Sequence, residues 1–445
     1  MFKRWYVRLA LLAVIVALLM IPLGLFFFQR LEVSDQDRVI RYLPFLSPLR
    51  ATEVPFRIPT PLATASLDFS VLLTPDALLQ TPTPTASPTP LSQAVRVAFQ
   101  SDPTATLMPP PPLPSATPAP IWSPIPTSFR IRGLQWEPQK FNNCGPANLV
   151  QAMRYYNWRD PQDMVASALK PNQQDKNVSP SELAGYVNTR TNGILRAITR
   201  TGGDMALVRQ LVANSFIVIL ETGFYDPDTP QQGWIGHYLT IIAYDDAVGR
   251  LYKLDTYKGE TNESYAVLDE LWSHFNREYI VVYQPTREAE LMAILGDNWD
   301  VDYNRRYTLD RAREMAVARP ENPFAWFNMG SSFTALGRYA EAALAFDRAF
   351  SLAEPIPYRM LWYQFTPYEA YYRSGSYQQV IGLAESVIET SKGHVEEAFY
   401  YRGIARAALG MWAEAQEDLT AAVKFNPNYT AAVQALSLVR VGQLP

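Results

Sequence analysis

From about residue 55 to residue 128 the chain turns to Pro, Thr, Ser and Ala, with Thr81-Pro82-Thr83-Pro84-Thr85 and Pro109-Pro110-Pro111-Pro112 as its clearest pieces. Proline has no amide hydrogen to give, and small polar side chains bury too little apolar surface to offset the entropy of ordering, so such a stretch cannot form a core. It predicts a solvated, extended, polyproline-like stalk whose Thr and Ser hydroxyls are open to O-glycosylation. The chain is therefore divided, and any folded unit lies on one side of this segment. With 445 residues, 48% of them hydrophobic and 13% aromatic, there is enough apolar material for more than one core. The formal net charge of -4 shows no basic excess, which removes nucleic acid as an expected partner.

Before the stalk, Lys3, Arg4 and Arg8 precede an uninterrupted apolar run from Leu9 to Phe28, about the length that crosses a bilayer. The far flank turns acidic at Glu32, Asp35 and Asp37, so the positive-inside rule places the amino terminus in the cytoplasm and everything after residue 30 outside. A cleaved signal peptide is the rival reading. Its apolar region is usually shorter and ends in small residues, whereas this one ends in Leu25-Phe26-Phe27-Phe28. Residues 1–30 thus read as a cytoplasmic tip and transmembrane signal anchor, and 31–128 as a juxtamembrane segment and disordered stalk. Val39 to Leu49 is apolar enough for a short helix or a surface contact.

Residues 129–288 have a mixed pattern. Helical periodicity runs from Gly145 to Tyr156, and Ser179-Pro180-Ser181-Glu182 reads as a capping box with proline at the first helical position, starting a helix that runs to about Thr189. A third helix is expected from near Asp204 to before Phe216. Strand-like runs are Phe216 to Leu220, Tyr238 to Tyr244, Leu251 to Leu254 and Tyr279 to Tyr283. Helices followed by hairpin-connected strands define an α+β domain with an antiparallel sheet.

Residues 289–445 are helical with an internal repeat. Gly337, Gly375 and Gly410 are each followed two positions later by an aromatic residue, Tyr339, Tyr377 and Trp412, at spacings of 38 and 35. Trp326, Gly330, Ala342, Phe346 and Ala349 surround the first glycine; Gly403, Ala415, Ala422 and Pro427 surround the third. These offsets resemble the tetratricopeptide repeat, a helix-turn-helix unit of about 34 residues whose small residues let its helices approach. The middle unit departs from the pattern, with Tyr368 where a small residue is expected and Val380 in place of alanine. The resemblance implies an all-α solenoid, with 428–441 as its capping helix and a groove for a protein or peptide partner.

Cys144 is the only cysteine, which excludes a disulfide within the chain and a cysteine-rich zinc site. A buried small hydrophobe or a nucleophile remains. Gln139, the run Cys144-Gly145-Pro146-Ala147, His237-Tyr238 opening a strand, and Asp255 beyond the next strand occur in that order. Together they resemble the bacteriocin-processing, double-glycine leader peptidase family of papain-like cysteine peptidases, over about residues 130 to 285. Gln139 departs from that family by standing one position closer to the cysteine than usual.

The chemistry also follows from the residues. A thiol in the first turn of a helix feels the positive end of the dipole, and an adjacent imidazolium lowers its pKa further. Cys144 would attack a carbonyl, and His237 would take the thiol proton and return it to the leaving amine. Asp255 would fix the histidine tautomer, and the Gln139 amide with the Cys144 backbone amide would receive the oxyanion. Pairing of the strands at 238–244 and 251–254 would bring Asp255 back beside His237. Asp245 and Asp246 compete for that role but read as turn residues before Gly249. Among the other histidines, His274 reads as an exposed helix residue and His394 lies between repeats. No cofactor or metal is called for.

The expectation is a membrane-anchored, extracytoplasmic thiol peptidase acting on protein or peptide, with repeats that recruit it. A papain-like acyl transferase and a non-enzymatic cell-surface scaffold are the alternatives.

Overall fold

Nine residues in succession, Ile217–Tyr225, form the strand on which the sheet is organised, and the first seven are buried. A strand reaches that state only when both of its faces are covered, which explains its continuous apolar run. It is the third strand, β3, of a fully antiparallel sheet in a computed structural model that describes residues 20–31, 36, 39–40, 42–50, 69–74, 124–227 and 233–445. The remaining strands are β1 (Ser128–Arg130), β2 (Arg196–Arg200), β4 (Trp234–Asp245), β5 (Arg250–Asp255), β6 (Gly259–Ser264) and β7 (Tyr279–Tyr283). Their order is β2-β7-β3-β4-β5-β6, with β1 paired to the far end of β4.

Five helices belong to this α+β part: α1 (Cys144–Tyr155), α2 (Gln162–Leu169), α3 (Pro180–Arg190), α4 (Met205–Ala213) and α5 (Tyr265–Ser273). The capping box at α3 is present: the Glu182 amide donates to Ser179 Oγ at 3.3 Å, and the Ser179 amide donates to Glu182 Oε2 at 2.8 Å. Asp204 caps α4 by accepting from the Leu207 amide at 2.8 Å. Leu149, Val150 and Met153 on α1 and Leu207, Val208 and Leu211 on α4 share one core with β3, β4 and β7. The periodicity had given no sign of α2, β2 or β6. All three are short, and β6 carries Glu260, Asn262 and Glu263.

From residue 288 onward the described chain is helical, with α6 (Glu288–Leu295), α7 (Val301–Ala318), α8 (Pro323–Ala335), α9 (Tyr339–Ser351), the single turn α10 (Met360–Tyr363), α11 (Thr366–Arg373), α12 (Tyr377–Ser391), α13 (Glu396–Ala408), α14 (Trp412–Phe425) and α15 (Thr430–Val439). The small residues act at helix crossings. A Cβ on Gly330 would lie 2.7 Å from the Phe346 ring, and one on Gly403 would lie 2.8 Å from Leu419, both far inside van der Waals contact. At the corresponding middle position Tyr368 is fully buried and stacks on Tyr401 with ring centroids 5.2 Å apart.

The two parts share a seam. Trp234 and Phe275, from the sheet-bearing part, enter the apolar cluster of the helical part. Asn328 Nδ2 donates to the Ser273 carbonyl at 2.7 Å, Asn276 Nδ2 to Ser332 Oγ at 3.1 Å, and Asn177 Nδ2 to the Tyr363 carbonyl at 3.2 Å.

Two expectations fail here. His274 is not an exposed helix residue; it closes α5 at the seam, 6% exposed, with its ring 3.8 Å from Phe324 and nearly parallel to it. Nor is 55–128 solvated throughout, because Phe69–Leu73 forms a 3-10 turn whose Leu72 is buried in the helical core, held by Arg313 Nε donating to the Leu72 carbonyl at 3.0 Å. The reason is local: Phe69-Ser70-Val71-Leu72-Leu73 is an apolar run inside a polar stretch.

Residues 1–19 of the expected anchor and most of the expected stalk lie outside the described residues. Among the described residues no helix is long and apolar enough to cross a membrane. A helical segment at 20–30 packs Phe28 against Ile40 and Leu46, the last within a 3-10 turn, Pro44–Leu49.

Candidate active site

Cys144 is the first residue of α1, so its side chain stands at the helix end where the amide groups are unpaired. The helix is fixed to the sheet through Asn148, four residues on and fully buried. Its Nδ2 donates to the Cys144 carbonyl at 2.9 Å and to the Tyr238 carbonyl at 2.8 Å, while its Oδ1 accepts from Thr240 Oγ1 at 2.7 Å. One amide thereby sets the thiol-bearing turn against β4, the strand of His237.

The strand pairing expected from the sequence is present. Thr240 pairs with Leu254 and Asp245 with Arg250, with a register shift between Ile241 and Ala243, and β5 ends at Asp255. His237 Nε2 and Asp255 Oδ1 are 3.0 Å apart, at 3% and 1% exposure. Asp255 also accepts from the backbone amides of Tyr257 at 2.7 Å and Lys258 at 3.3 Å, which hold its carboxylate in place. With Nε2 on the acid, Nδ1 is the ring nitrogen left to serve the Cys144 sulfur, and each of the two groups shifts the other's proton affinity.

The electrostatics follow from this line of groups. Burial alone would push the Cys144 thiol up, but the hydrogen bond and charge of His237, with the Tyr238 and Gly145 amides, bring it below its ordinary value. Burial would pull His237 down; the Asp255 carboxylate and the Cys144 sulfur raise it to about 10. Burial would raise Asp255, yet His237 and the Tyr257 amide lower it to about 2. The Cys144 and His237 shifts both favour a thiolate beside an imidazolium.

Gln139 reaches this site through Thr256. Its amide donates to the Thr256 carbonyl at 2.8 Å and its Oε1 accepts from the Thr256 hydroxyl at 2.8 Å, leaving Nε2 as the side-chain donor. The turn that begins at Asp255 therefore holds both the partner of His237 and Gln139. The competing acids are elsewhere: Asp245 accepts from the Ala247 amide at 2.9 Å, and Asp246 pairs with Arg209 at 2.7 Å.

Four residues beside the thiol had no counterpart in the sequence reading. Asn148 and Thr256 are the positioning groups just described. Glu221 of β3 and Tyr363 of α10 line the cavity that adjoins Cys144. Asn148 carried a signal, as a polar residue inside the apolar run 145–150; Tyr363 carried none, since it arrives from the helical part.

No model of a known protein family matches the chain, and no curated protein matches it. Among solved structures, one described as a C39-like peptidase from Bacillus anthracis matches at 12% identity and a TM-score of 0.29, over 35% of this chain and 98% of that one. The peptidase domain of Streptococcus ComA, a bi-functional ABC transporter of a quorum-sensing pathway, matches at 16% identity and a TM-score of 0.26, over 34% and 99%.

Proposed function

We propose that the chain is a thiol peptidase, and the observation that carries this is the buried His237–Asp255 pair, with Nε2 of the histidine 3.0 Å from the acid, on the strand to which Asn148 ties the helix end that bears Cys144. In this reading the Cys144 sulfur adds to the carbonyl carbon of a peptide bond. The oxyanion is met by the Cys144 backbone amide and by Nε2 of Gln139. His237 passes its proton to the leaving nitrogen as the carbon–nitrogen bond breaks, leaving a thioester on Cys144. Water then attacks the thioester, gives its proton to His237, and the acid product leaves as the carbon–sulfur bond breaks and the thiolate is restored beside the imidazolium. An amine in place of that water would give acyl transfer by the same groups.

The helical part is read as tetratricopeptide repeats that present a protein or peptide to the site. Gly337, Gly375 and Gly410 support this, at φ of 73°, 81° and 80°, where each ends the first helix of a hairpin. The apolar run at Leu9–Phe28 is read as the anchor of a protein whose folded parts stand outside the cell.

The test is alkylation of the full chain by iodoacetamide at pH 6, followed by mass. Rapid modification of Cys144 that is lost in His237→Ala is expected. Modification at the rate of a simple thiol, unchanged by His237→Ala, would leave the chain as a surface scaffold.

A further inference from the structure

Glu221 is a buried acid beside the thiol that the proposed reaction does not use. It lies on β3, paired with Tyr238 of β4, and is 2% exposed. The nearby Tyr238 hydroxyl donates to the Val178 carbonyl at 2.7 Å, and Glu221 Oε2 is buried with no hydrogen-bond partner among the described residues. A buried acceptor left unpaired costs about 1–3 kcal/mol, so its place in a native fold calls for a reason. That reason is visible in what the group faces. Glu221 lines the cavity shared with Cys144, Lys176, Tyr238 and Tyr363.

The cavity is small. It leaves about 10 Å³ of free space, the room of one water-sized group. Two features set that size. The Tyr363 ring lies against Gly236, where a Cβ would come within 3.2 Å of it, and Asn177 holds the Tyr363 carbonyl at 3.2 Å. The Lys176 ammonium is drawn toward the rings of Phe141 and Trp362, 6.0 Å from each. A planar guanidinium or an aromatic ring exceeds this space. A primary ammonium head is about the size of a water molecule, carries three donors, and has the charge a carboxylate favours.

Resting on the reading of Cys144 as nucleophile, we infer that Glu221 is the anchor for a primary ammonium group of the substrate, held one pocket away from the scissile carbonyl. The carboxyl is suited to this. Burial first, then the neighbouring Glu278 and the Cys144 sulfur, push it well above the usual carboxylate range. An ammonium beside it works in the opposite direction, favouring the carboxylate as the ion pair forms.

An ammonium can come from a lysine side chain or from the amino terminus of a short peptide. Inactivation of the full chain by peptidyl chloromethyl ketones separates the two. One series is acetyl-capped, with lysine, arginine or norleucine at the first or second residue from the ketone. The other compares a free with an acetylated amino terminus. In one of these series the ammonium-bearing probe is expected to inactivate at least about tenfold faster than its neutral counterpart, with arginine well behind lysine. In Glu221→Gln that ratio should fall to about one; as a ratio it is insensitive to any general loss of reactivity.

Equal rates for ammonium and neutral probes in the parent, or a preference that survives Glu221→Gln, would overturn the inference. Iodoacetamide keeps the two readings apart. If its reaction depends on His237 while the ammonium preference is absent, the anchor alone is wrong; if it does not depend on His237, the nucleophile reading has failed first.

Discussion

Two histidines lie in the sheet-bearing part of this molecule, at 3% and 6% exposure, and their proton affinities are shifted in opposite directions. His237 is raised to about 10 in spite of its burial, because the Asp255 carboxylate is 3.0 Å from its Nε2. His274 is lowered to about 4, by burial and then by the charge of Arg319. Its Nδ1 accepts from the Trp234 indole at 3.1 Å, a bond that requires the nitrogen to be free of a proton, and its ring stacks on Phe324. Burial is nearly the same in the two places, so the neighbour decides the charge. One imidazole is held protonated beside a carboxylate; the other is kept neutral where it joins the sheet to the helical part.

The strongest way to break this contrast is to remove the charged ring. His237→Ala leaves the Asp255 carboxylate buried without its partner, at a cost of about 3–5 kcal/mol that the Tyr257 and Lys258 amides partly relieve. It also returns Cys144 toward an ordinary thiol, so its alkylation at pH 6 should slow at least about a hundredfold. Urea denaturation and the alkylation rate, measured on the same preparation, check both halves. Unchanged alkylation would mean that the pair does not activate the sulfur.

His274 supplies the next largest effect. Its folded value of about 4 lies below the ordinary 6.5, so between those pH values the unfolded chain binds a proton that the folded chain refuses. Stability should therefore fall as the pH drops from 6.5 toward 4, by about 3 kcal/mol from this group, and level off below. Asp255 acts lower, since its value of about 2 means its contribution is intact above 3.8 and is lost only as the pH falls through 2. The contribution of His237 runs the other way, complete below 6.5 and lost as the pH rises through about 10. In His274→Phe the slope between pH 6.5 and 4 should be absent from the urea midpoints. A cost of about 1–3 kcal/mol should appear at pH 7, because the Trp234 indole loses its acceptor. A slope that persists in the variant would assign it to other groups.

Much of the His237 region was legible in the chain, and almost none of the His274 region was. The thiol at a helix start, the histidine in one strand and the acid ending the next are local features, and hairpin pairing carries the acid to the histidine whatever the rest of the molecule does. The capping box at Ser179 was equally readable, because its partners are three residues apart. His274 was misread for the opposite reason. Its environment comes from Phe324 and Trp234, so nothing within its own helix announces burial. The same distance hid Tyr363 from any reading of the site. It also hid the docking of Leu72, whose carbonyl meets Arg313 across 241 positions of sequence.

A milder change sharpens the comparison by making the surroundings of His237 more like those of His274. Asp255→Asn keeps a polar neighbour at Nε2 but removes its charge, so the imidazolium loses its main support and the thiol moves back up. Alkylation of Cys144 at pH 6 should fall by about tenfold, and the lower edge of its pH profile should move to higher pH. If the profile stays where it is, the backbone amides of Tyr238 and Gly145, and not the charged pair, are what hold the sulfur down.

The smallest effect tests the other side of the contrast. Arg319 is the second cause of the low His274 value, but its side chain is 43% exposed and its Nη1 lies 2.9 Å from Glu270. Solvent and that carboxylate both screen it, so Arg319→Gln should change the free energy of protonating His274 by only about 0.2–1 kcal/mol, in the direction of easier protonation. The imidazole resonances of His274, followed by NMR from pH 7 to pH 4 in both proteins, read this directly. A small upward displacement of the midpoint would leave burial as the dominant cause. A midpoint that rises to the ordinary value of 6.5 would show that a charge at the seam, and not the apolar packing of Phe324 and Trp234, keeps this histidine neutral.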